Sequence, residues 1–250
     1  MAPAERLLRI LSAILVAISN PPPCLAAAPF TSDGRSGDSD EGPLVTLPDG
    51  CRIRGVEAYV PQLRATVTSF LGVPFAQPPT GDLRFRPPVP KKRWKGVWSA
   101  KRLSKACMQE QDTTFHHWGS LMWNNNTPTS EDCLYLNIWA PNNAKNLPVM
   151  VWLYGGGFWY GSPSLGLYDG RALAAEGDVI VVNVNYRVGA FGFLYLAHPD
   201  APGNQGLLDQ QLALKWIQRN IGSFGGDPSK VSLFGESAGA ASIVAHMVAP

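Results

Sequence analysis

The sequence carries no excess of charge. A formal net charge of +2, with 16% of residues charged, is too close to neutral to suggest a nucleic-acid partner. The densest basic run, Lys91-Lys92-Arg93, has no aromatics interleaved and reads as a solvated loop. There is no internal repeat, and after the first thirty or so residues no stretch apolar enough to span a bilayer. The apolar content, 45%, is that of a folded globular protein rather than a disordered one. Two hundred and fifty residues suit one large domain or two small ones, and no segment calls for a second. No cofactor or metal site is expected.

What is present starts at the N-terminus. Arg6 and Arg9 precede the apolar run Ile10 to Ile18, and small residues around Ala26 follow. That is the order of a secretory signal peptide, predicted over residues 1–26 with cleavage near Ala26 or Ala27, since Pro29 obstructs a cut after Ala28. The four cysteines are then read in an oxidising compartment. Cys24 leaves with the leader, and Cys51, Cys107 and Cys133 remain as an odd set, so one is free or pairs beyond this sequence. Residues 27–43 are small and polar and read as a flexible mature N-terminus.

From Leu44 the texture is strand and turn, with strands expected at Leu44 to Leu47 and Thr66 to Gly72. The proline-rich passage Pro74 to Pro90 is neither helix nor central strand. After Pro148 apolar strands alternate with helices. Val149 to Tyr154, Val179 to Val184 and Val231 to Phe234 suit a mainly parallel sheet buried on both faces. Leu207 to Ile221 reads as a helix, with stripes Leu208/Leu212/Trp216 and Leu214/Ile217/Ile221 packed on different sides. This is an α/β plan, a central mostly parallel sheet flanked by helices.

Gly235-Glu236-Ser237-Ala238-Gly239 follows the last of these strands and precedes an Ala-rich, helix-favouring run. A strand-to-helix turn this sharp strains the serine, and glycines two residues to either side let the two arms approach without Cβ clashes. Ser237 is the expected nucleophile. The Ala238 amide, at the helix start, is an expected oxyanion donor. Tyr154-Gly155-Gly156-Gly157 ends an earlier strand, where Gly-rich loops of such hydrolases supply further donors, here Gly156 and Gly157.

Phe234 to Gly239 and Glu131-Asp132-Cys133-Leu134-Tyr135-Leu136-Asn137 resemble the two signatures of the type-B carboxylesterases and cholinesterases. Phe70 to Ala76, Asn185 to Gly192 and Ala201 to Gln210 are similar to further stretches of that family, so the likeness runs from about Leu44 to Pro250. The resemblance implies the α/β-hydrolase fold and ester hydrolysis through an acyl-enzyme on Ser237. Several positions resemble the cholinesterase branch. Trp123 matches the tryptophan that binds a quaternary ammonium, for which an indole face is well suited. Asp112 matches an aspartate that attracts cationic substrate. Glu236 matches the acidic neighbour of the nucleophile, and Tyr168 a polar member of the choline subsite. Cys107 and Cys133 match the disulfide that closes the loop carrying Asp112 and Trp123. Trp159 and Glu110 depart from the aromatic pattern of the acetylcholine-selective enzymes. Asn125-Asn126-Thr127 is a glycosylation sequon.

An acid and then a histidine must follow the serine in this fold. After Ser237 the sequence has only His246, about 13 Å further along the helix, and no Asp or Glu. His116, His117 and His198 precede the serine and suit loop or surface positions. The chain is therefore expected to be the N-terminal part of a longer catalytic domain, inactive alone. Any homo-oligomerisation or membrane anchoring is assigned to the missing C-terminus. A small ester, preferably a cationic choline ester, is the expected partner. The alternatives are a carboxylesterase for neutral esters and a non-catalytic, cholinesterase-like adhesion protein.

Overall fold

The computed structural model describes residues 41–249. The expected leader, residues 1–26, and most of the polar stretch 27–43 lie outside the described residues. The end of that stretch is held rather than flexible: Gly55 N–H donates to the Pro43 carbonyl at 2.8 Å, and Arg54 Nη1 to Gly42 O at 3.2 Å.

Six strands form the main sheet: β1 (Val56–Val60), β2 (Ala65–Pro74), β3 (Tyr135–Pro141), β4 (Leu147–Leu153), β5 (Ile180–Val184) and β6 (Gly226–Gly235). Their order is β6-β4-β5-β3-β2-β1. The three strands expected after Pro148 pair in parallel, β5 with β4 and β6 with β4. The other half is antiparallel, β1 with β2, β2 with β3 and β3 with β5. The sheet is thus mixed rather than mostly parallel among the described residues. Only four residues separate β1 from β2, too few for the crossover that a parallel pair needs.

The parallel half is made by helical crossovers. Helix α1 (Arg171–Gly177) joins β4 to β5, and helix α3 (Gln205–Asn220) joins β5 to β6, with the short α2 (Gly189–Phe193) between them. Val149, Val151, Leu153, Val182 and Val184 pack with Ala213 and Ile217 of α3 on one face. Val181, Trp139 and Val67 pack with Ala174 of α1 on the other. Burial on both faces explains the continuous apolar runs, and β5 is buried at every position.

Helix α3 packs through both expected stripes, with Ile217 and Ile221 buried and Leu212, Leu214 and Trp216 against the core, and it also buries polar residues that its pattern does not announce. Its buried line is Gln205, Asp209, Ala213 and Ile217, whereas Leu208, Leu212, Leu214 and Trp216 are half-buried. Gln205 Nε2 donates to the Phe85 and Leu194 carbonyls, while its Oε1 has no partner among the described residues, and Asp209 is tolerated because it is paired. The Asp209 carboxylate takes Arg187 Nε at 2.8 Å, Nη2 at 2.7 Å and the Arg187 amide at 3.0 Å. Burial pushes the Asp209 carboxyl up, against the pull of those hydrogen bonds and of the Arg187 charge.

No helix among the described residues is long and apolar enough to cross a membrane. Cys107 and Cys133 form a disulfide, and Cys51 is buried and free.

Candidate active site

The connections β4–β5 and β5–β6 leave in opposite directions across the sheet, so the carboxyl ends of neighbouring strands β4 and β6 open onto one crevice. Strand β6 ends at Gly235 and helix α4 (Ala238–Val248) begins three residues on, leaving Glu236 and Ser237 to make the turn. Ser237 has φ 51° and ψ −121°, a region where Cβ crowds the backbone. Its neighbours make this conformation obligatory. A Cβ on Gly239 would lie 2.0 Å from the Leu153 carbonyl oxygen, and one on Gly235 2.7 Å from that same oxygen. Both arms of the turn therefore press on the end of β4. A Cβ on Gly155 would stand 2.6 Å from Glu236 Oε2 and 3.0 Å from Ser237 Cβ.

Gly156 (φ 112°) and Gly157 (φ 60°) take left-handed conformations that other residues adopt only with strain. Gly156 is further confined because a Cβ would meet the Tyr160 carbonyl oxygen at 2.2 Å. Ala238 is buried, and its amide is among those at a helix start that lack an intrahelical acceptor.

Ser237, Gly155, Gly156, Gly157, Trp123, Tyr168 and Glu236 line one cavity of about 220 Å³. Six of the eight residues expected to act on substrate thus meet around one space. Tyr168 packs its ring 5.0 Å from that of Trp152. Burial, then the Glu236 charge, pushes its phenol up to about 12, so it stays protonated at neutral pH. A hydroxyl on a strained turn, with a helix N-terminus behind it and glycine amides in the opposite wall, is an arrangement suited to nucleophilic attack and to holding a developing anion. Among the described residues no hydrogen bond joins a histidine to Ser237. His246 Nε2 instead lies 2.9 Å from Gln210 Oε1, and burial lowers its pKa. His117 caps the short helix Trp118–Leu121, and His198 accepts from the Asp200 amide.

The model of the carboxylesterase family matches residues 41–250. The chain belongs to the carboxylesterase family. With it goes the α/β-hydrolase fold, of which the crossovers and the strand–serine–helix turn are the described part. The chain is 64% identical to acetylcholinesterase 4 of Caenorhabditis briggsae, over 79% of its own length and 33% of that protein. It is 53% identical to the cholinesterase of Mus musculus, over 85% of its length and 35% of the relative. With acetylcholinesterase 1 of Caenorhabditis elegans the identity is 52%, over 83% and 34%. The chain thus spans about a third of the length of these relatives.

In this chain Asp112 does not line the Ser237 cavity. It lines a second one, of about 720 Å³, together with Glu110, Trp159 and Tyr160. Tyr160 is the residue common to both linings. Asp112 is also structural. Its carboxylate accepts from the Thr114 amide at 2.8 Å, which holds it below the usual carboxylate range. Its amide and carbonyl make a reciprocal pair with the Asn124 side chain, at 2.8 and 2.9 Å. That strap sits beside Trp123 and fixes the disulfide loop locally.

Asn125 turns inward. It is 8% exposed and its Nδ2 donates to the Thr127 carbonyl at 2.6 Å. The sequon nitrogen is thus used by its own loop. Expressed in a glycosylating host and treated with an N-glycosidase, the protein should retain unmodified Asn125. An Asp at that position by mass spectrometry would sink this expectation.

Two supporting groups are missed from the sequence. Asn183, in the middle of an apolar strand, donates to the Pro163 and Tyr168 carbonyls at 2.8 and 3.1 Å and accepts from Asn137 at 2.8 Å. Gln109 grips Gly161 at both its N–H and its C=O, each at 2.8 Å. An Asn that interrupts a run such as Ile180–Val184 is the one available hint, since a buried amide needs partners.

Proposed function

We propose that this chain carries the nucleophile, the oxyanion donors and the cation-binding face of a secreted serine esterase that hydrolyses choline esters. The observation that carries the reading is that strained Ser237, Gly156 and Gly157, and the Trp123 indole all line one cavity. Ser237 Oγ attacks the ester carbonyl. The amides of Gly156, Gly157 and Ala238 take the oxyanion. Collapse of the tetrahedral intermediate breaks the C–O bond to choline and leaves an acyl-enzyme, which water then hydrolyses. The Trp123 face meets the quaternary ammonium, which cannot donate hydrogen bonds. Glu236 adds negative charge beside it, Tyr168 offers a neutral hydroxyl, and Asp112 in the outer cavity draws the cation inward.

The general base and its acid come from chain that follows these residues in the longer protein, in the order serine, acid, histidine. The 250 residues alone are then the N-terminal part of the domain, from Leu44, behind a leader at 1–26. They show no turnover. The relatives named acetylcholinesterase and cholinesterase support the choline-ester reading over one for neutral esters. Secretion follows from the leader, and any oligomerisation or anchoring belongs to the remaining chain.

The test compares a choline ester with its uncharged carbon isostere in the complete protein, before and after Trp123→Ala. A desolvated cation–π contact of about 2 kcal/mol corresponds to about 30-fold in kcat/KM. That loss is expected for the choline ester, with little change for the isostere. Equal rates for both esters in the unaltered protein identify a general carboxylesterase. Failure of an organophosphate to label Ser237 identifies a non-catalytic protein.

A further inference from the structure

Tyr154 and Tyr186 form a closed unit beneath the glycine loop. Tyr154 follows β4 and directly precedes Gly155, and Tyr186 lies two residues past the end of neighbouring β5. Both are 0% exposed. Their rings stack with centroids 4.3 Å apart and an interplanar angle of 15°. The Tyr186 hydroxyl donates to the Tyr154 carbonyl at 2.6 Å, and the Tyr154 hydroxyl donates to the Tyr186 carbonyl at 2.7 Å. Asn185 Oδ1 lies 3.1 Å from that second hydroxyl, and Asn185 Nδ2 donates to the Lys105 carbonyl, near the start of the disulfide loop.

The two hydrogen bonds do different work. The Tyr154 carbonyl belongs to the peptide unit that opens the glycine loop, and a Cβ on Gly239 would lie 2.8 Å from the same oxygen. That oxygen is therefore held between the Tyr186 hydroxyl and the helix of the nucleophile turn. Its direction sets the plane of the Tyr154–Gly155 peptide, one and two residues ahead of Gly156 and Gly157. The Tyr186 carbonyl, by contrast, lies in the segment after β5 and is not part of the glycine loop.

We propose that Tyr186 is a positioning residue, its hydroxyl fixing the Tyr154 carbonyl so that the Gly156 and Gly157 amides are aimed at the oxyanion; this rests on the esterase reading above. Glycines resist rotation poorly, so the loop needs its entry peptide fixed from outside. Donors that act on the oxyanion favour the transition state over bound ester, and a misaimed pair lowers kcat rather than raising KM.

The test uses Tyr186→Phe and Tyr154→Phe in the complete protein. Each keeps the ring and the stack and removes one buried hydroxyl. Tyr186→Phe should lower kcat by about 10- to 100-fold with KM within a factor of about two. Affinity for a trifluoromethyl ketone, which forms an oxyanion on the serine, should fall in proportion, while tetramethylammonium binds as before. Tyr154→Phe should leave kcat within about 3-fold, although it removes a hydrogen bond from the same buried pair. Amide exchange across residues 155–160 should quicken in Tyr186→Phe and not in Tyr154→Phe, a readout independent of turnover. Equal losses in the two variants, or a rise in KM at constant kcat, overturn the positioning role and leave the esterase reading intact. A complete protein that hydrolyses no ester overturns that reading first, and the inference with it.

Discussion

Replacing Gly239 by alanine should abolish esterase activity in the complete protein. The added Cβ would lie 2.0 Å from the Leu153 carbonyl oxygen, 2.7 Å from its carbon and 2.8 Å from the Tyr154 oxygen. All three are backbone atoms of a buried strand end, and none can swing aside as a side chain does. The first turn of α4 must move off β4 and carry Ser237 and the Ala238 amide with it. A displacement of about 1 Å costs on the order of 10²-fold in a positioned reaction, and loss of an oxyanion donor costs a similar factor again. The expected fall in kcat/KM is therefore about 10³-fold or more. Gly166→Ala is the matched control, because nothing lies within 4 Å of its Cβ position and its φ is not positive. Activity of Gly239→Ala within about tenfold of the unaltered protein would show that the close approach of turn and strand is not what holds the serine.

The largest loss of stability is expected from Asp209→Ala. The side chains of Arg187 and Asp209 are 3% and 0% exposed. Removing the carboxylate leaves a guanidinium in the core without its counter-charge, at about 3–5 kcal/mol. Total stabilities are about 5–15 kcal/mol, so the change should be plain in a urea or thermal melt. The pair is not itself a strong source of stability. Arg187 Nη1 is buried and has no hydrogen-bond partner among the described residues, which leaves part of its desolvation uncompensated. The double replacement Arg187→Met with Asp209→Leu should accordingly cost less than Asp209→Ala alone. A loss under about 1 kcal/mol for the single variant would mean that the arginine finds water or another acceptor, and the pair would lose its structural importance.

The ion pair has a second consequence for the site. Arg187 follows Tyr186 directly, and its carbonyl is closely packed by Gly192 and Gly206, where Cβ atoms would lie 2.2 and 2.4 Å away. The segment after β5 is thus fixed by a carboxylate on α3, two glycines and the tyrosine pair. Helices α2 and α3 and the end of β4 hold the segment that carries Tyr186, whose hydroxyl reaches the peptide that opens the glycine loop.

How much of this was legible beforehand depends on the range of the interaction. The serine turn was readable because its cause is local: the strand, the strained residue and the flanking glycines lie within ten residues. The glycine loop was readable for the same reason. Helix α3 is legible in place and in its packing on more than one side, since Ile217 and Ile221 are buried and Leu212, Leu214 and Trp216 pack against the core, but its buried polar line is not. Gln205 and Asp209 lie inside only because Phe85, Leu194 and Arg187 reach them from elsewhere. Asp112 and Trp123 share a loop, and the family likeness implies that both act on one cation. The fold puts them in adjoining cavities with Tyr160 lining both. The motif at Asn125 does not show which way the side chain points, and the hydrogen bond to the Thr127 carbonyl turns it in.

By itself, then, the sequence determined the α/β plan, the Ser237 turn with its glycines, the glycine loop after β4, and, through its likeness to a family, the loop that brings Trp123 to the serine cavity. Those features are written in short-range patterns of backbone freedom and apolar periodicity. The tertiary structure alone decided which polar side chains are buried, how Tyr154 and Tyr186 share their hydrogen bonds, and where one cavity stops and the next begins. A buried polar group is stable only beside its partner, and the partners here come from chain up to 120 residues away.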